Sequence, residues 1–573
     1  MENVEIAATF EEVADLLEIT GANPFRVRAY RNAARTIESH ATPMRTLVAE
    51  HADLTELPAI GKDTAKYIGE LVVKGRLSVL EELAEEVPRS LVELMRLPGL
   101  GPKRARKLWE EIGVETVADL RRAAEAGEVA NLSGFGDKTQ ERILKGIAAL
   151  EQRQGRLRLA DADQIVAPLL AWLRADPAVD RVEVAGSMRR RLETIGDIDL
   201  LAIATNADAA MARFTSYGRV RTVEMAGPTR GTVVLDSGLQ VDLRILPPDD
   251  YGAALQYFTG SKEHNVALRT RAVGMGLKVS EYGVFRDEER VAGATEDDVY
   301  AALDLPWMPP ELRENRGEIE AAAGNRLPTL VALEDMRGDL QMHSTWSDGR
   351  QSLREMAEGC RAKGYAYMAI TDHSKNLAMT GGLDAKRLKE QWVELDDVRS
   401  QVPELMIFRS MEVDILRDGS LDLEDELLAQ LDLVLVSVHT LLDLPQAAQT
   451  ARVLRALQHP SVHIFAHPTG RLINQRDPIQ VDMDEIFACA AETGIALECN
   501  AHPNRLDLKD THLQAAKERG IPIVISTDAH QVRELNLMRY GVEQARRGWL
   551  EPDDVLNTRT REAFTGWLAA RRA

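Results

Sequence analysis

Apolar residues recur at helical spacing through residues 1–150, interrupted only by short Gly/Pro turns, so this stretch reads as all helix. Three of the turns resemble one another: Leu57-Pro58-Ala59-Ile60-Gly61-Lys62, Leu97-Pro98-Gly99-Leu100-Gly101-Pro102-Lys103 and Leu132-Ser133-Gly134-Phe135-Gly136-Asp137-Lys138. Each lies between two helical patterns and leads into a helix carrying Lys or Arg, which makes an internal repeat. From about 156 to 250 the period shortens to two, with β-branched strands in RVEVAG, DIDLLAIA, TVVLD and LQVDLRIL. Residues 251–325 read as mixed helix and loop, with a boundary at Pro306-Trp307-Met308-Pro309-Pro310 and a linker over 326–334. From about 335 onward apolar strands alternate with helices, a pattern that implies a parallel sheet or barrel. The strands YMAITDH, LMIFRSMEVD, LDLVLVSVH, VHIFAH, GIALECN and IPIVISTDAH nearly all end in His, Asp or Glu, where an α/β barrel places its chemistry.

Composition narrows this picture. A chain of 573 residues exceeds one core and divides into several domains. It has no run of about 18 apolar residues that could span a membrane. The first residues are acidic and amphipathic rather than a basic leader, and three cysteines form no CxxC pair; both point to a reduced cytoplasm. The net charge of -21, with acids in excess in each third of the chain, argues against holding nucleic acid by bulk charge. Any such binding has to use local basic clusters, backbone amides and bound cations.

Asp197 and Asp199 stand two apart on one strand, so both carboxylates share a face while Ile198 and Leu200 point into the core. On LQVDLRIL the apolar set Leu239, Val241, Leu243 and Ile245 opposes Gln240, Asp242 and Arg244. A solvated strand face is the bland account, but strands disfavour Asp. Three converging acids repel unless cations sit among them, and two Mg²⁺ ions would align an attacking 3′-hydroxyl with a leaving pyrophosphate. Upstream, Gly186-Ser187-Met188-Arg189-Arg190-Arg191 offers a glycine turn, a hydroxyl and guanidinium groups suited to phosphate.

The run GSMRRRLETIGDID, followed by VDLR and then Tyr257-Phe258-Thr259-Gly260-Ser261, resembles the nucleotidyltransferase signature of family X DNA polymerases over about residues 1–325. The resemblance implies that Asp197 and Asp199 bind both metals and Asp242 the catalytic one. It implies that Ser187, Arg190 and Gly196 hold a deoxynucleoside triphosphate. Tyr257, Phe258 and Gly260 then line the sugar site, with Asn265 and Arg269 beside the nascent pair. The turns at 57–62 and 97–103 resemble helix-hairpin-helix motifs, with Gly61, Lys62, Gly99, Gly101, Lys103 and Arg104 as DNA-backbone contacts and Arg106 and Lys107 extending the patch. A packing turn beside a solvated helix is the alternative for each. Where lyase-active relatives carry a Schiff-base lysine this chain has Tyr67, with Lys66 beside it and about 100° away around the helix.

Nine of the 12 histidines fall at or after His343. Those at strand ends, with Asp and Glu, suit a multinuclear Zn²⁺ or Mn²⁺ site able to activate water. Their order resembles the polymerase and histidinol phosphatase (PHP) domain, over about 335–573. By that resemblance the ligands are His343, Asp348, His373, Glu412, His439, His467, Asp528 and His530, and the domain is a metal-dependent 3′-5′ exonuclease with abasic-site endonuclease activity beside it. The family's His-x-His opening reads Gln341-Met342-His343, so one metal position loses an imidazole and Glu498 is the candidate substitute. His459, His463, His502 and His512 lack strand-end placement and read as structural or surface residues.

The expected architecture is therefore multidomain: an all-α helix-hairpin-helix region (1–85 binding DNA ends, 86–155 fingers-like), an α+β palm (156–260) and thumb (261–325), a linker (326–334) and a distorted α/β PHP barrel (335–573). The expected work is gap filling on gapped or nicked double-stranded DNA by a cytoplasmic, nucleoid-associated monomer that does not use membranes. A PHP domain that is a small-molecule phosphoesterase or only a scaffold, and a template-independent transferase, are the alternatives.

Overall fold

The computed structural model describes residues 3–39, 44–50, 52–95, 97, 99–153, 156–377 and 380–572. Contacts divide the chain into two compact units, Met1–Gln154 and Gly155–Ala573. In the first unit the described residues are helical, and one apolar cluster runs from Ile6 and Phe10 through Leu71, Leu83 and Leu108 to Ile147. The segments expected as two helical domains thus share a single core.

The second unit contains the strands. The pair β1 (Leu157–Arg158) and β3 (Thr194–Ile195) frames a five-stranded sheet in the order β2-β4-β7-β6-β5. Its strands are β2 (Val179–Val184), β4 (Asp197–Ala204), β5 (Val220–Ala226), β6 (Arg230–Leu235) and β7 (Gln240–Ile245). The β4–β7 pair is parallel, and its register sets Asp199 opposite Asp242. Alternation does what the sequence implies: Ile198, Leu200, Val241 and Leu243 are buried against the helix Leu159–Arg174, leaving the acids on the other face.

Residues 251–325 are not helix and loop alone. They include a three-stranded antiparallel sheet of β8 (Lys278–Ser280), β9 (Gly283–Arg286) and β10 (Glu289–Ala292). Strands of three or four residues are too short for a period of two to register in the sequence. The boundary signal at Trp307–Pro310 is also folded in: Met308 is buried, and Trp307 Nε1 donates to Glu296 at 3.0 Å. Nor is the expected linker loose, because Val331 is buried in the barrel core and its N–H donates to Leu550 O at 2.9 Å.

Seven parallel strands follow in sequential order: β11 (Gly338–Asp339), β12 (Tyr367–Ile370), β13 (Met406–Asp414), β14 (Leu433–Ser437), β15 (Ile464–Phe465), β16 (Ala496–Asn500) and β17 (Ile523–Ser526). A parallel bridge between Met342 and Ala529 brings the two ends of this sheet together, so the barrel is nearly closed. Its strands are buried on both faces and read as continuous apolar runs, as parallel sheets do. Met411, Val413, Val434, Val436, Leu497 and Ile525 join one apolar cluster, while the alternate residues Phe408, Leu433, Leu435, Ala496 and Val524 join another. The second cluster includes Phe564 and Leu568 of the helix Arg561–Arg572, and Phe564 stacks on Tyr367 at 5.0 Å. It forms an apolar floor. Counting onward by twos from that floor leads from Phe408 to Glu412, from Leu435 to His439 and from Val524 to Asp528 and His530.

The barrel and the palm sheet are not separate bodies. Ile473, Leu506 and Tyr540 of the barrel region belong to the same apolar cluster as Leu200 and Leu243.

Candidate active sites

In the palm, β4 presents Asp197 exposed and Asp199 half-buried, and β7 presents Asp242 half-buried beside them. Asp242 is held from both sides, accepting from Thr232 Oγ1 at 2.5 Å and Gln240 Nε2 at 2.8 Å. Burial, followed by the charges of Asp197 and Asp242, pushes the Asp199 carboxyl up to about 6. Gly186 packs against it: a Cβ there would come within 2.5 Å of Asp199 Oδ2, and its φ of +59° is one that glycine adopts without strain. An all-oxygen set crowded enough to raise one member's pKa fits a hard cation such as Mg²⁺.

The residues expected to hold a nucleotide lie on neighbouring elements. Ser187 lies on the short helix Gly186–Arg189 and Arg190 just after it; Gly196 precedes Asp197, with Arg156 lying against its Cα. Arg190 donates Nη1 to Thr259 O at 2.6 Å and Nε to Glu314 at 3.0 Å. Its neighbour Arg189 forms a pair with Glu296 at 2.7 Å that Arg313 completes at 2.6 Å. Although burial opposes ionisation, these two guanidinium groups hold the Glu296 carboxyl down at about 2. Tyr257 and Phe258 end the helix Tyr251–Thr259, half-buried and edge-to-face at 5.1 Å, and Gly260 turns the chain at φ +69°. Asn265 donates to Tyr257 O at 2.7 Å and accepts from Gln256 at 2.9 Å, while Arg269 is exposed on the same helix.

The three hairpins share one backbone geometry. The second residue before each N-cap glycine has positive φ: Ala59 (+60°), Gly99 (+86°) and Gly134 (+86°). Each turn closes with the same hydrogen bond, from Ile60 to Leu57, Leu100 to Leu97 and Phe135 to Leu132. The third hairpin, where Ser133 stands in place of proline, has the same form. Gly61 and Gly101 cap the helices Lys62–Lys74 and Pro102–Ile112 without a side-chain partner, and Lys62 and Lys103 are exposed beside them. Pro98 lies outside the described residues. Part of the expected basic patch has internal duties: Arg104 donates to Gly99 O and Gly134 O, and Lys107 to Ser133 O at 2.6 Å, tying the second hairpin to the third. Tyr67 stacks on Tyr30 at 6.3 Å, and Lys66 faces solvent.

At the barrel mouth all eight expected ligands meet. His343, Asp348, His373 and His530 bring ligand atoms within 4.8 Å of one another, and His373, Glu412 and His439 form a second such group. Among the described residues these are the groups that close so tightly; the palm acids do not. His467 Nε2 lies 3.0 Å from Glu412, and His343 Nε2 lies 3.1 Å from Asp528. Two ligands leave regular strand geometry to face inward, His467 at φ +29° and Asp528 at φ +55°. The imidazoles hold the Glu412, Asp528 and Asp348 carboxyls well below the usual range. In return the Glu412 and Asp348 charges raise His373 to about 9 despite its burial, and Asp348 and Asp528 raise His530 likewise. The buried Nδ1 atoms of His343 and His467 have no hydrogen-bond partner among the described residues. This mixed N/O donor set suits Mn²⁺ or Zn²⁺.

Gln341 is buried against Glu498, and its hydrogen bonding is satisfied when the amide nitrogen faces that carboxyl. Glu498 also accepts from His467 N at 2.6 Å and stands outside both ligand groups. Its carboxylate is thus partnered by the Gln341 amide and by the His467 backbone. Sequence reading missed Asp414, which accepts from His439 Nδ1 at 2.7 Å and orients that ring. It also missed Arg505, whose Nε lies 3.3 Å from Asp528. A strand-end Asp two residues after Glu412 was the available signal for the first; Arg505 had none.

Comparison with known proteins agrees with these features. Residues 1–77 match a helix-hairpin-helix domain, 91–149 a SAM-like helix-hairpin-helix tandem and 254–314 the DNA polymerase beta thumb. The chain is 28% identical over 240 residues to a probable phosphatase of Syntrophotalea carbinolica, covering 40% of this chain and 95% of that protein. It is 24% identical over 345 residues to rat DNA polymerase lambda, covering 54% of this chain and 56% of that one. It is 39% identical over 572 residues, 99% of both chains, to the DNA polymerase/3′-5′ exonuclease PolX of Bacillus subtilis. With the palm acids, the hairpins and the histidine-lined barrel in one polypeptide, this chain belongs to the PolX family of DNA polymerase/3′-5′ exonucleases.

Proposed function

We propose that this protein fills short gaps in DNA during repair and trims 3′ ends with its barrel. The observation that carries the first half is the shared face of Asp197, Asp199 and Asp242, with the Gly186–Arg190 turn beside it. Held by these acids, Mg²⁺ would neutralise the triphosphate and lower the pKa of a primer 3′-hydroxyl. The protein's own part is positioning: Ser187 and Arg190 bind phosphate oxygens, Tyr257 and Phe258 pack against the sugar, and Asn265 and Arg269 flank the new base pair. The hairpins around Gly61, Gly99 and Gly101, with Lys62, Lys103 and Arg104, grip the DNA backbone without reading sequence. With Tyr67, which has no amine, at the lyase position, the main part of this region is to hold the 5′ end of a gap.

In the barrel, Mn²⁺ or Zn²⁺ held by His343, Asp348, His373, Glu412, His439, His467, Asp528 and His530 would supply an activated water. Asp414 fixes the His439 ring, and the Arg505 guanidinium offers a cation to a phosphodiester. The protein works as a monomer in the bacterial cytoplasm, on gapped or nicked DNA. A second reading, a barrel that hydrolyses small phosphomonoesters, is favoured by the 95% coverage of the probable phosphatase.

The test is a 5′-phosphorylated one-nucleotide gap with Mg²⁺ or Mn²⁺, run beside a 3′-recessed end and a chromogenic phosphomonoester. Insertion of one nucleotide and shortening of the recessed end are expected. No insertion refutes the polymerase assignment; monoester turnover without end shortening replaces the exonuclease with the second reading.

A further inference from the structure

The turn that carries Ser187 and Arg190 is braced from behind by the barrel. Arg547, at the end of the barrel helix Met538–Arg547, donates Nη1 to the Arg190 carbonyl at 2.8 Å and to Glu314 at 3.0 Å. Glu314 is the same carboxylate that accepts from Arg190 Nε at 3.0 Å. On the same helix Glu543 accepts from Arg191 Nη2 at 2.7 Å, and Asp163 of the palm accepts from the same Nη2 at 2.8 Å and from Nη1 at 3.0 Å. A third barrel residue, Arg471, pairs with Glu193 at 2.7 Å. Arg547 is itself anchored by Asp510 at 2.6 Å, and Asp510 also pairs with Arg316 at 3.0 Å.

Three features make this more than surface adhesion. The Arg547 side chain is 2% exposed and Glu314 15%, so the charges are desolvated and their geometry is exacting. Arg191 lies at φ +57°, a left-handed conformation that an arginine holds only when its surroundings fix it. And Arg190 has two of its donors committed, Nε to Glu314 and Nη1 to Thr259 O, while among the described residues Nη2 has no hydrogen-bond partner and is left for an anion.

We infer that the barrel residues Arg547, Glu543 and Arg471 position the polymerase's triphosphate-binding turn, so that nucleotide affinity in the palm depends on side chains of the nuclease domain. Arg547 shares Glu314 with Arg190 and so limits how tightly that carboxylate holds the guanidinium. Its bond to the Arg190 carbonyl fixes the backbone from which the guanidinium reaches. Without Arg547, Glu314 takes Arg190 for itself and the turn relaxes; the triphosphate then binds a site that must be rebuilt on each encounter. This inference rests on the polymerase reading and on Arg190 as a phosphate ligand.

The experiment is single-nucleotide insertion on a one-nucleotide gap with Mg²⁺, measuring KM for the deoxynucleoside triphosphate and kcat separately. The full-length wild type, Arg547→Ala, Arg547→Lys, Glu543→Gln and Arg190→Ala proteins are compared, with 3′-end shortening as a second readout. Arg547→Ala is expected to raise KM about tenfold with kcat within about twofold and end shortening unchanged. Arg547→Lys should recover part of the loss, and Glu543→Gln should raise KM about threefold. If Arg547→Ala does not fold, Glu543→Gln decides. KM within twofold of wild type in the barrel variants, or a fall in kcat alone, overturns the inference while Arg190→Ala still raises KM. If Arg190→Ala also leaves KM unchanged, it is the assignment of Arg190 that fails.

Discussion

The palm and the barrel both gather carboxylates, yet they handle the charge in opposite ways. On the palm sheet three acids share an open face with no imidazole among them, and Asp199 is pushed up to about 6 by burial and by its neighbours. In the barrel Glu412, Asp528 and Asp348 lie among histidines that pull their carboxyls down, and His373 and His530 are raised to about 9. One site is electrostatically incomplete until a cation arrives, whereas the other neutralises itself. The palm acids are thus left short of positive charge, while the barrel carboxylates and imidazoles supply each other's counter-charge.

The largest effect that could break this contrast is a failure of the two sites to separate. Asp242→Ala should lower gap-filling by on the order of 1000-fold or more while end shortening persists, and His343→Ala should do the reverse. Loss of both activities in either variant, measured on the same labelled primer, would mean one site rather than two.

Asp199→Asn sharpens the contrast from the stability side. A carboxyl whose folded pKa is raised is destabilising when ionised; the penalty is absent below the unfolded pKa near 3.8 and complete above about 6. At pH 7.5 without divalent ions the variant should therefore be more stable than wild type by about 1–3 kcal/mol, with synthesis abolished. At pH 4 the gain should vanish. Denaturant melts at the two pH values check it.

The barrel should behave in the opposite sense. With metals chelated, the raised histidines contribute stability that is whole below their unfolded pKa of 6.5 and is lost as pH rises through about 9. The chelated protein should lose only about 2–4 °C in Tm at pH 6.5 but more at pH 9. An equally large loss at both values would show the metals, and not the histidine–carboxylate pairs, holding the mouth together.

The smallest expected effect concerns Gly186. Gly186→Ala costs about 1–2 kcal/mol for the left-handed backbone and pushes Asp199 aside, so synthesis should fall about tenfold with end shortening untouched. Wild-type synthesis in that variant would show that the close approach does not matter.

Much of this was legible in the sequence because two short-range rules carry it. A period of two put Asp197 and Asp199 on one face and Asp242 on the polar face of its own strand, and strand ends picked out most of the side chains that meet at the barrel mouth. The hairpin repeat was legible too, though not the residue that takes positive φ, which in the first turn is an alanine. What stayed hidden depends on long-range contact. Glu314 and Arg547 are 233 positions apart, so nothing local marks them as partners. Gln341 was recognised as a departure, but its pairing with Glu498 required the barrel to bring β11 and β16 into one mouth. Arg104 and Lys107 read as free cations because a sequence does not say which carbonyls lie within reach.

The apolar residues Ile473, Leu506 and Tyr540 beneath the palm sheet have an evolutionary consequence. Side chains of the barrel have become part of the polymerase's interior, so a gene that lost the barrel would leave the polymerase with a hole in its core and a greasy flank facing solvent. Substitutions on either side of that seam are constrained together, and the fusion is far easier to keep than to undo.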